Sequence, residues 1–415
     1  MSPVSAIRLL AMVGAAMALP WPSPLAAKER QLPGATVESV VALARQLSPD
    51  LAAAALDAEA LAHKVGAAGV LADPTVTLQA WDVNGRGVGQ RWIGVEQEFK
   101  LWGKRDLERG VAEADADAAR HQSRAADTDL IARVKTVYAQ YCAANRAIEL
   151  SADLKRRVDE SLGLLRLRYG ATSVDQQDVI RGEIEAATAE TDVVRRQGEA
   201  KSAAARLNAL IGRKPEAALA APTGFRPLKT NITMAGVQAR AWAANPVLAA
   251  TDAQVGAAAS AKSLADLNYY PNVTLGATFV QRPTGDNSGQ FMMGLKVPLQ
   301  YEAKDAEQRA ASSKLGAAQA RSDAIRIRLD GDVAEAWFGF EAVRKAIRIY
   351  ERRQLPPARL SVETARTGFA AGTTDLSAVL EAERRLRMVQ LELLKLEVEQ
   401  QAKYAELERL AGGSL

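Results

Sequence analysis

The chain has 415 residues, 48% of them hydrophobic and 25% charged but only 5% aromatic, a mix that favours long helices over a compact mixed core. Its net charge of +4, spread over interleaved acidic and basic residues, offers no basic patch of the kind nucleic acid requires. A single cysteine, Cys142, excludes a disulfide framework.

Residues 1–27 read as a secretory signal, with Arg8, an apolar run from Leu9 to Leu19 and cleavage near Ala26 or Ala27. No later stretch stays apolar over the length a membrane helix needs, so none is predicted in the mature chain. Periodicity predicts a helix over 36–72, strands over 75–84 and 90–100, a long helix over 103–168 and another over 175–211. Residues 213–233, rich in proline, read as a linker. The order then repeats: helix 234–269, strands 272–282 and 290–300, helices 303–368 and 375–411.

The repetition is literal at several anchors. Pro49 and Pro246 open similar helices, and Pro74 and Pro271 precede the first strand of each half, both pairs 197 residues apart. Gly94 and Gly294, "YGATSVDQQDVI" and "FAAGTTDLSAVL", and "LNALIG" and "LERLAG" are each 200 apart. The chain is therefore two repeats, 28–212 and 234–415, around the linker. Seams such as Leu154, Val158, Leu162, Leu165, Tyr169 and Leu329, Val333, Trp337, Phe340, Val343, Ile347, Tyr350 turn one face of each long helix to a partner. A helix over 103–168 would be about 100 Å long at ~1.5 Å per residue, so the helices must build an elongated bundle or tube.

The strands alternate. Val273, Leu275, Ala277 and Phe279 share one face, opposite Asn272, Thr274, Gly276 and Thr278. Phe291, Met293, Leu295, Val297 and Leu299 do so in the next strand, and Ile93, Val95 and Phe99 stand opposite Gly94, Glu96 and Glu98. One apolar and one polar face is the pattern of a membrane β-barrel. Aromatics cluster near strand ends, Trp81, Trp92, Phe279 and Phe291 by the turns and Trp102, Tyr269, Tyr270 and Tyr301 at the other end, as two interfacial belts would. Four strands cannot close a barrel, so chains must share one: two would give eight strands and three would give twelve. The competing reading is a soluble periplasmic coiled-coil scaffold decorated with hairpins.

On "NPVLAAT", "YYPNVTLGA" and the paired turn motifs, the chain resembles the TolC-type outer-membrane efflux channels over nearly its whole mature length. The resemblance implies a mainly α protein with a small membrane β part: a homotrimeric α-helical barrel continued by a shared 12-stranded β-barrel. It places the channel in the outer membrane of a Gram-negative bacterium, its helices in the periplasm. Its partners would be a periplasmic adaptor protein and an inner-membrane RND-type transporter.

"FKLWGKRDL" resembles the "LGGKR" junction of heavy-metal cation exporters: Leu101, Gly103, Lys104 and Arg105 match, and Trp102 replaces the first glycine. That points to metal efflux, with drug efflux or type I secretion as alternatives. The resemblance puts adaptor docking at the helix tips, at Tyr169, Gly170, Ser173 and Asp178 in the first half and Phe369, Gly372, Thr373 and Leu380 in the second. It puts the pore gate at Glu381, with Ala378 where an Asp is common.

No enzyme is expected. His63, His121 and Cys142 are far apart in sequence, no metal-ligand spacing occurs, and no cofactor is expected. "GRGVG" at 85–89 joins two strands rather than opening a helix, so it is no phosphate loop.

Overall fold

A computed structural model of the chain describes residues 32–84, 87–170 and 175–415; the signal segment and Ser173 lie outside the described residues. In chain order the elements of the first half are α1 (Val37–Leu47), α2 (Pro49–Ala67), β1 (Thr75–Asn84), β2 (Gly87–Phe99), α3 (Lys104–Gly170) and α4 (Gln176–Leu210). The second half holds α5 (Met234–Ala244), α6 (Pro246–Leu267), β3 (Asn272–Gln281), β4 (Ser288–Lys296), α7 (Tyr301–Ile349), α8 (Leu355–Ala371) and α9 (Leu376–Leu410). A π-helical turn, Tyr350–Gln354, joins α7 to α8.

Three expectations need correction. The helices predicted over 36–72 and 234–269 each break in two, because Ser48 and Asn245 leave the helical region and cap the next helix. Their side chains accept from Leu51 N and from Val247 N and Leu248 N, and Pro49 and Pro246 occupy the first turn, where a missing N–H costs nothing. The helix predicted over 303–368 is interrupted at the π turn. Pro356 and Pro357 cannot donate to the preceding turn, and Leu355 N bonds instead to Tyr350 O, five residues back. The last strand stops at Lys296, short of Pro298.

The helices pack side by side: α3 lies against α2, α4, α6 and α9, and α7 against α6 and α9. Two matching cores form the waist. Val37, Val40, Leu130, Val134, Tyr138 and Leu207 make one, and Val237, Leu329, Val333, Phe340, Tyr404 and Leu407 the other. The proline-rich segment between the halves is pinned across this waist. Ala220 N and Thr223 N donate to Pro33 O and Ala35 O, and Arg226 reaches Glu408 on α9. The two halves end alike: Gly212 and Gly412 adopt positive φ (74° each), and the next residues, Arg213 and Gly413, donate back to Asn208 O and Glu408 O.

The four strands form one antiparallel sheet in the order β1-β2-β3-β4. Its register pairs Val76 with Val95, Leu78 with Ile93, Ile93 with Phe279, and Ala277 with Phe291, so these side chains share a face. The helices stand at one end of this sheet and the two hairpin turns at the other.

Candidate functional site

The sheet's apolar face is open. Leu78, Ile93, Leu275, Phe279, Phe291, Met293 and Leu295 are all exposed, Phe291 at 93%. An apolar surface this continuous marks contact with lipid or with a partner. The opposite face carries Thr77, Gln79, Gly94, Glu96, Thr274 and Thr278. Trp81 and Trp92 belong to this polar face, since Trp81 pairs with Gln90 and Trp92 with Gln79 and Val280. They thus stand opposite Phe279 and Phe291, not in one belt with them. Their rings meet at 6.0 Å.

The "LWGKR" stretch welds strands to helices. Trp102 has φ 65°, a left-handed conformation costing a bulky residue about 1–2 kcal/mol. Its ring stacks on Tyr270 at 5.3 Å, and Nε1 donates to Pro271 O at 3.0 Å. Lys104, buried, donates to Tyr270 O and to Asn272 Oδ1, both at 2.8 Å, and Asn272 in turn donates to Glu98 Oε1. Burial pulls the Lys104 ammonium below its ordinary value, and nearby Lys304 adds to this. Arg105 Nε donates to Gly69 O at 2.5 Å, and Gly69 (φ 67°) leaves no room for a Cβ beside the Arg105 backbone. Tyr269 donates to Asp305 Oδ1 at 3.1 Å, while Tyr301 is exposed.

At the other end, the ends of α3 and α4 and those of α8 and α9 flank a cleft of about 590 Å³ lined by Arg168, Asp175, Asp178, Gly372, Thr373 and Thr374 among others. Gly372 (φ 78°) ends α8: its N–H and that of Thr373 donate to Phe369 O and Gly368 O. Asp375 caps α9 by accepting from Ala378 N at 3.1 Å. Tyr169, Gly170, Gly372 and Thr373 are exposed and Asp178 is half-buried. Phe369 and Leu380 face inward, packing with Leu154, Val158, Leu165, Leu376 and Val379 into the tip core. Arg168 lies over the Phe369 ring at 4.9 Å.

Glu381 is exposed, one turn before a set of charged contacts that tie α9 to the first half. Arg384 forks onto Glu185, with Nε donating to Oε1 at 3.0 Å and a second nitrogen on Oε2. That bond, with further help from the Glu381 charge, raises the Arg384 pKa. Arg387 meets Asp192, which also accepts from Ser151 Oγ at 3.0 Å and from Arg195 at 2.6 Å. Burial pushes the Asp192 carboxyl up, but Arg195, Arg387 and Ser151 outweigh it and hold it below the usual range. Glu383, 4% exposed, has only Arg157 at 3.5 Å, so burial raises its pKa despite Arg157 and Arg366.

The sequence profile of the outer membrane efflux proteins matches this chain twice, over residues 40–213 and 238–413. The chain belongs to the outer membrane efflux protein family. It is 22% identical over 443 aligned residues to the pyoverdine export outer membrane protein OpmQ of Pseudomonas putida, covering 95% of this chain and 91% of that one. It is 23% identical over 365 residues to the cobalt-zinc-cadmium resistance protein CzcC of Cupriavidus metallidurans, covering 86% and 85%. In fold it is similar to the open state of the MtrE outer membrane channel of Neisseria gonorrhoeae, with TM-score 0.78 at 18% identity over 92% of this chain and 90% of that one.

In this outer membrane efflux protein, the turn motifs point to the helix tips and leave the charges between the helix hairpins unmarked. The signal was present. Gly182, Glu185, Ala189 and Asp192 recur at three- and four-residue spacing, which puts two carboxylates on the buried seam of α4. Glu383, Gln401 and Glu408 sit likewise on the seam of α9. Among the described residues no group of three or more His, Cys, Asp or Glu is placed to hold a metal ion, and no helix is long and apolar enough to cross a membrane.

Proposed function

We propose that this efflux protein is a homotrimeric exit duct of the outer membrane, passing heavy-metal cations outward from an inner-membrane RND-type transporter through a periplasmic adaptor. One observation carries the reading. A four-stranded sheet with an exposed apolar face and two unpaired edges, β1 and β4, tops a bundle containing a 67-residue helix. In lipid those edges must be paired. Because β1 and β4 run in opposite directions, β4 of one copy meets β1 of the next antiparallel, and three copies close a twelve-stranded barrel. An exposed apolar face of this extent argues against the soluble scaffold.

Phe279 and Phe291 would then face the outer lipid interface, and Trp102, Tyr270 and Tyr301 the periplasmic one, with Tyr269 behind them on Asp305. The exposed tip residues Tyr169, Gly170, Gly372 and Thr373, with Asp178 and Ser173, would meet the adaptor, while Phe369 and Leu380 support them from within. A threefold ring of Glu381 would favour cations at the narrow end of the pore. Opening would separate the hairpins there and so break the Arg384–Glu185 and Arg387–Asp192 contacts.

The metal cargo rests on the "LWGKR" junction and on the name of the Cupriavidus relative. The Pseudomonas relative, at similar identity, favours a second reading: export of pyoverdine. A strain lacking the gene is the test. Lost tolerance to cobalt, zinc or cadmium salts supports the metal reading; unchanged tolerance with lost export of pyoverdine supports the second. Heat-modifiable, detergent-requiring oligomers in the outer membrane are expected, and full release by osmotic shock would refute the duct itself.

A further inference from the structure

We infer that Trp81 and Trp92 form an aromatic collar inside the outer mouth of the barrel, which limits the size of solute that passes there. The inference rests on the duct reading. Residues paired across an antiparallel ladder share a face, so Trp81, Trp92, Gln79, Gln90 and Val280 all lie on the side of Thr77, Gly94 and Thr278. That side becomes the inner wall when the apolar face meets lipid. Both tryptophans are therefore excluded from the outer aromatic belt, although they stand at the same height as Phe279.

The inner wall is uneven in a specific way. Along its middle run thin side chains, Thr77, Gly94, Thr278, Gly276 and Gly294, with Glu96 and Met292 flanking Gly276. A Cβ at Gly94 would already lie 2.9 Å from Thr278 Oγ1, so the wall there is closely fitted. The aromatic bulk stands at one level. Trp81, 54% exposed, and Trp92 stack at 6.0 Å with Val280, fully buried, opposite Trp92. Each indole N–H is satisfied within the sheet, Trp81 Nε1 on Gln79 Oε1 at 3.3 Å and Trp92 Nε1 on Gln90 Oε1 at 3.1 Å. With the N–H groups engaged, the rings are held in place and offer the pore their carbon faces. Three copies would bring six indoles to one height on a barrel of about 12 Å backbone radius, from ~4.8 Å strand spacing and ~40° tilt. A large, apolar, oriented group in an aqueous wall, placed at the exit end, restricts passage more than it wets.

Labelling from outside the cell tests this on the full chain, with buried Cys142 as background. Thr278→Cys lies on the inner wall one pair below Trp92 and Val280; Leu275→Cys lies on the apolar face. Both are exposed to water-soluble maleimides carrying polyethylene glycol of graded size. The expected result is protection of Leu275→Cys, and labelling of Thr278→Cys by small reagents but not large ones. That size cut-off should be lost with Trp81→Ala plus Trp92→Ala. Labelling of Thr278→Cys by every size with both tryptophans present overturns the collar, as does a cut-off that survives their removal. Failure of even the smallest reagent in both backgrounds also overturns it, because something other than indoles then shuts the mouth. Ready labelling of Leu275→Cys refutes the duct reading instead. If the double variant fails to assemble, Trp81→Ala alone and the pair Trp81→Leu, Trp92→Leu must shift the cut-off in proportion to the volume removed.

Discussion

The two repeats share a plan and differ where it matters mechanically. In the first, α3 runs 67 residues without a break; in the second, the corresponding path is α7, a π turn and α8. At the waist, buried Asn208 of the first half only ties up its own neighbouring loop, through Pro215 O and Ala217 O. Its counterpart Glu408 receives Lys135 of the first half at 2.7 Å and Arg226 of the linker at 2.8 Å. At the tip, Arg384 and Arg387 of the second half reach across to Glu185 and Asp192 of the first. Duplication supplied two equal frames. Divergence left a continuous rod in one and gave the other the interruption and half of each cross-link.

The sharpest way to break that contrast is at the waist. Glu408→Ala leaves two cations buried without their carboxylate and should cost about 3–5 kcal/mol in chemical denaturation. Asn208→Ala, which strands two carbonyls, should cost about 1–3 kcal/mol. Equal losses would remove the asymmetry. Next comes the sheet, where Met293→Arg on the apolar face should cost about 2–4 kcal/mol per chain in refolding into lipid vesicles, and Gln290→Arg on the polar face close to nothing.

The tip sharpens the comparison through pH. Glu383 titrates above the model-compound value of 4.5, so the folded state holds its proton more tightly than the unfolded chain does. Its contribution therefore falls as pH rises through the interval just above 4.5. Asp192 titrates below 3.8, so its contribution is present above that value and lost as pH drops further. Glu383→Gln should raise the neutral-pH melting temperature and flatten the upper interval, and Asp192→Asn should lower it and flatten the lower one.

Smaller effects belong to the rod and the junction. Amide exchange at 350–355 should outpace that at 150–155 in α3, and Pro356→Ala with Pro357→Ala should erase the difference; equal exchange in the native chain would make the π turn as firm as the rod. Trp102→Gly relieves about 1–2 kcal/mol of backbone strain but forfeits a ring contact worth about 0.5–1.5 kcal/mol and the hydrogen bond to Pro271 O worth about 0.5–1.5 kcal/mol, so urea midpoints should shift little.

Much of this architecture was legible in the sequence because period and composition agree locally. The strand pairs show as alternation bounded by turn residues, and the repeat shows as anchors at constant spacing. Other features were written but depend on three dimensions. "QLPPARL" spells a helix break, yet neighbouring helices hold α7 and α8 together across a π turn. Trp81 and Trp92 share their height with Phe279, yet the parity of Trp92 with Gly94 puts that ring on the other face, and the β1–β2 register puts Trp81 beside it. Phe369 and Leu380 looked like tip residues by position, and only the α3–α9 packing turns them inward. The cross-links at Glu185 and Asp192 need partners almost 200 residues away, which no local pattern names.

The length of α3 gives the junction at its base an influence out of proportion to its size. An uninterrupted helix of 67 residues is about 100 Å long at ~1.5 Å per residue. A tilt of about one degree where Lys104 grips Tyr270 and Asn272 therefore carries Tyr169 sideways by roughly 2 Å, more than half the span of a hydrogen bond. The fit of Trp102 and Arg105 against the strands and against Gly69 works as the fulcrum of a lever whose far arm carries Glu160, Arg166 and the helix tip. Substitutions at the sheet end should thus be felt at the opposite end of the molecule, with no rearrangement in between.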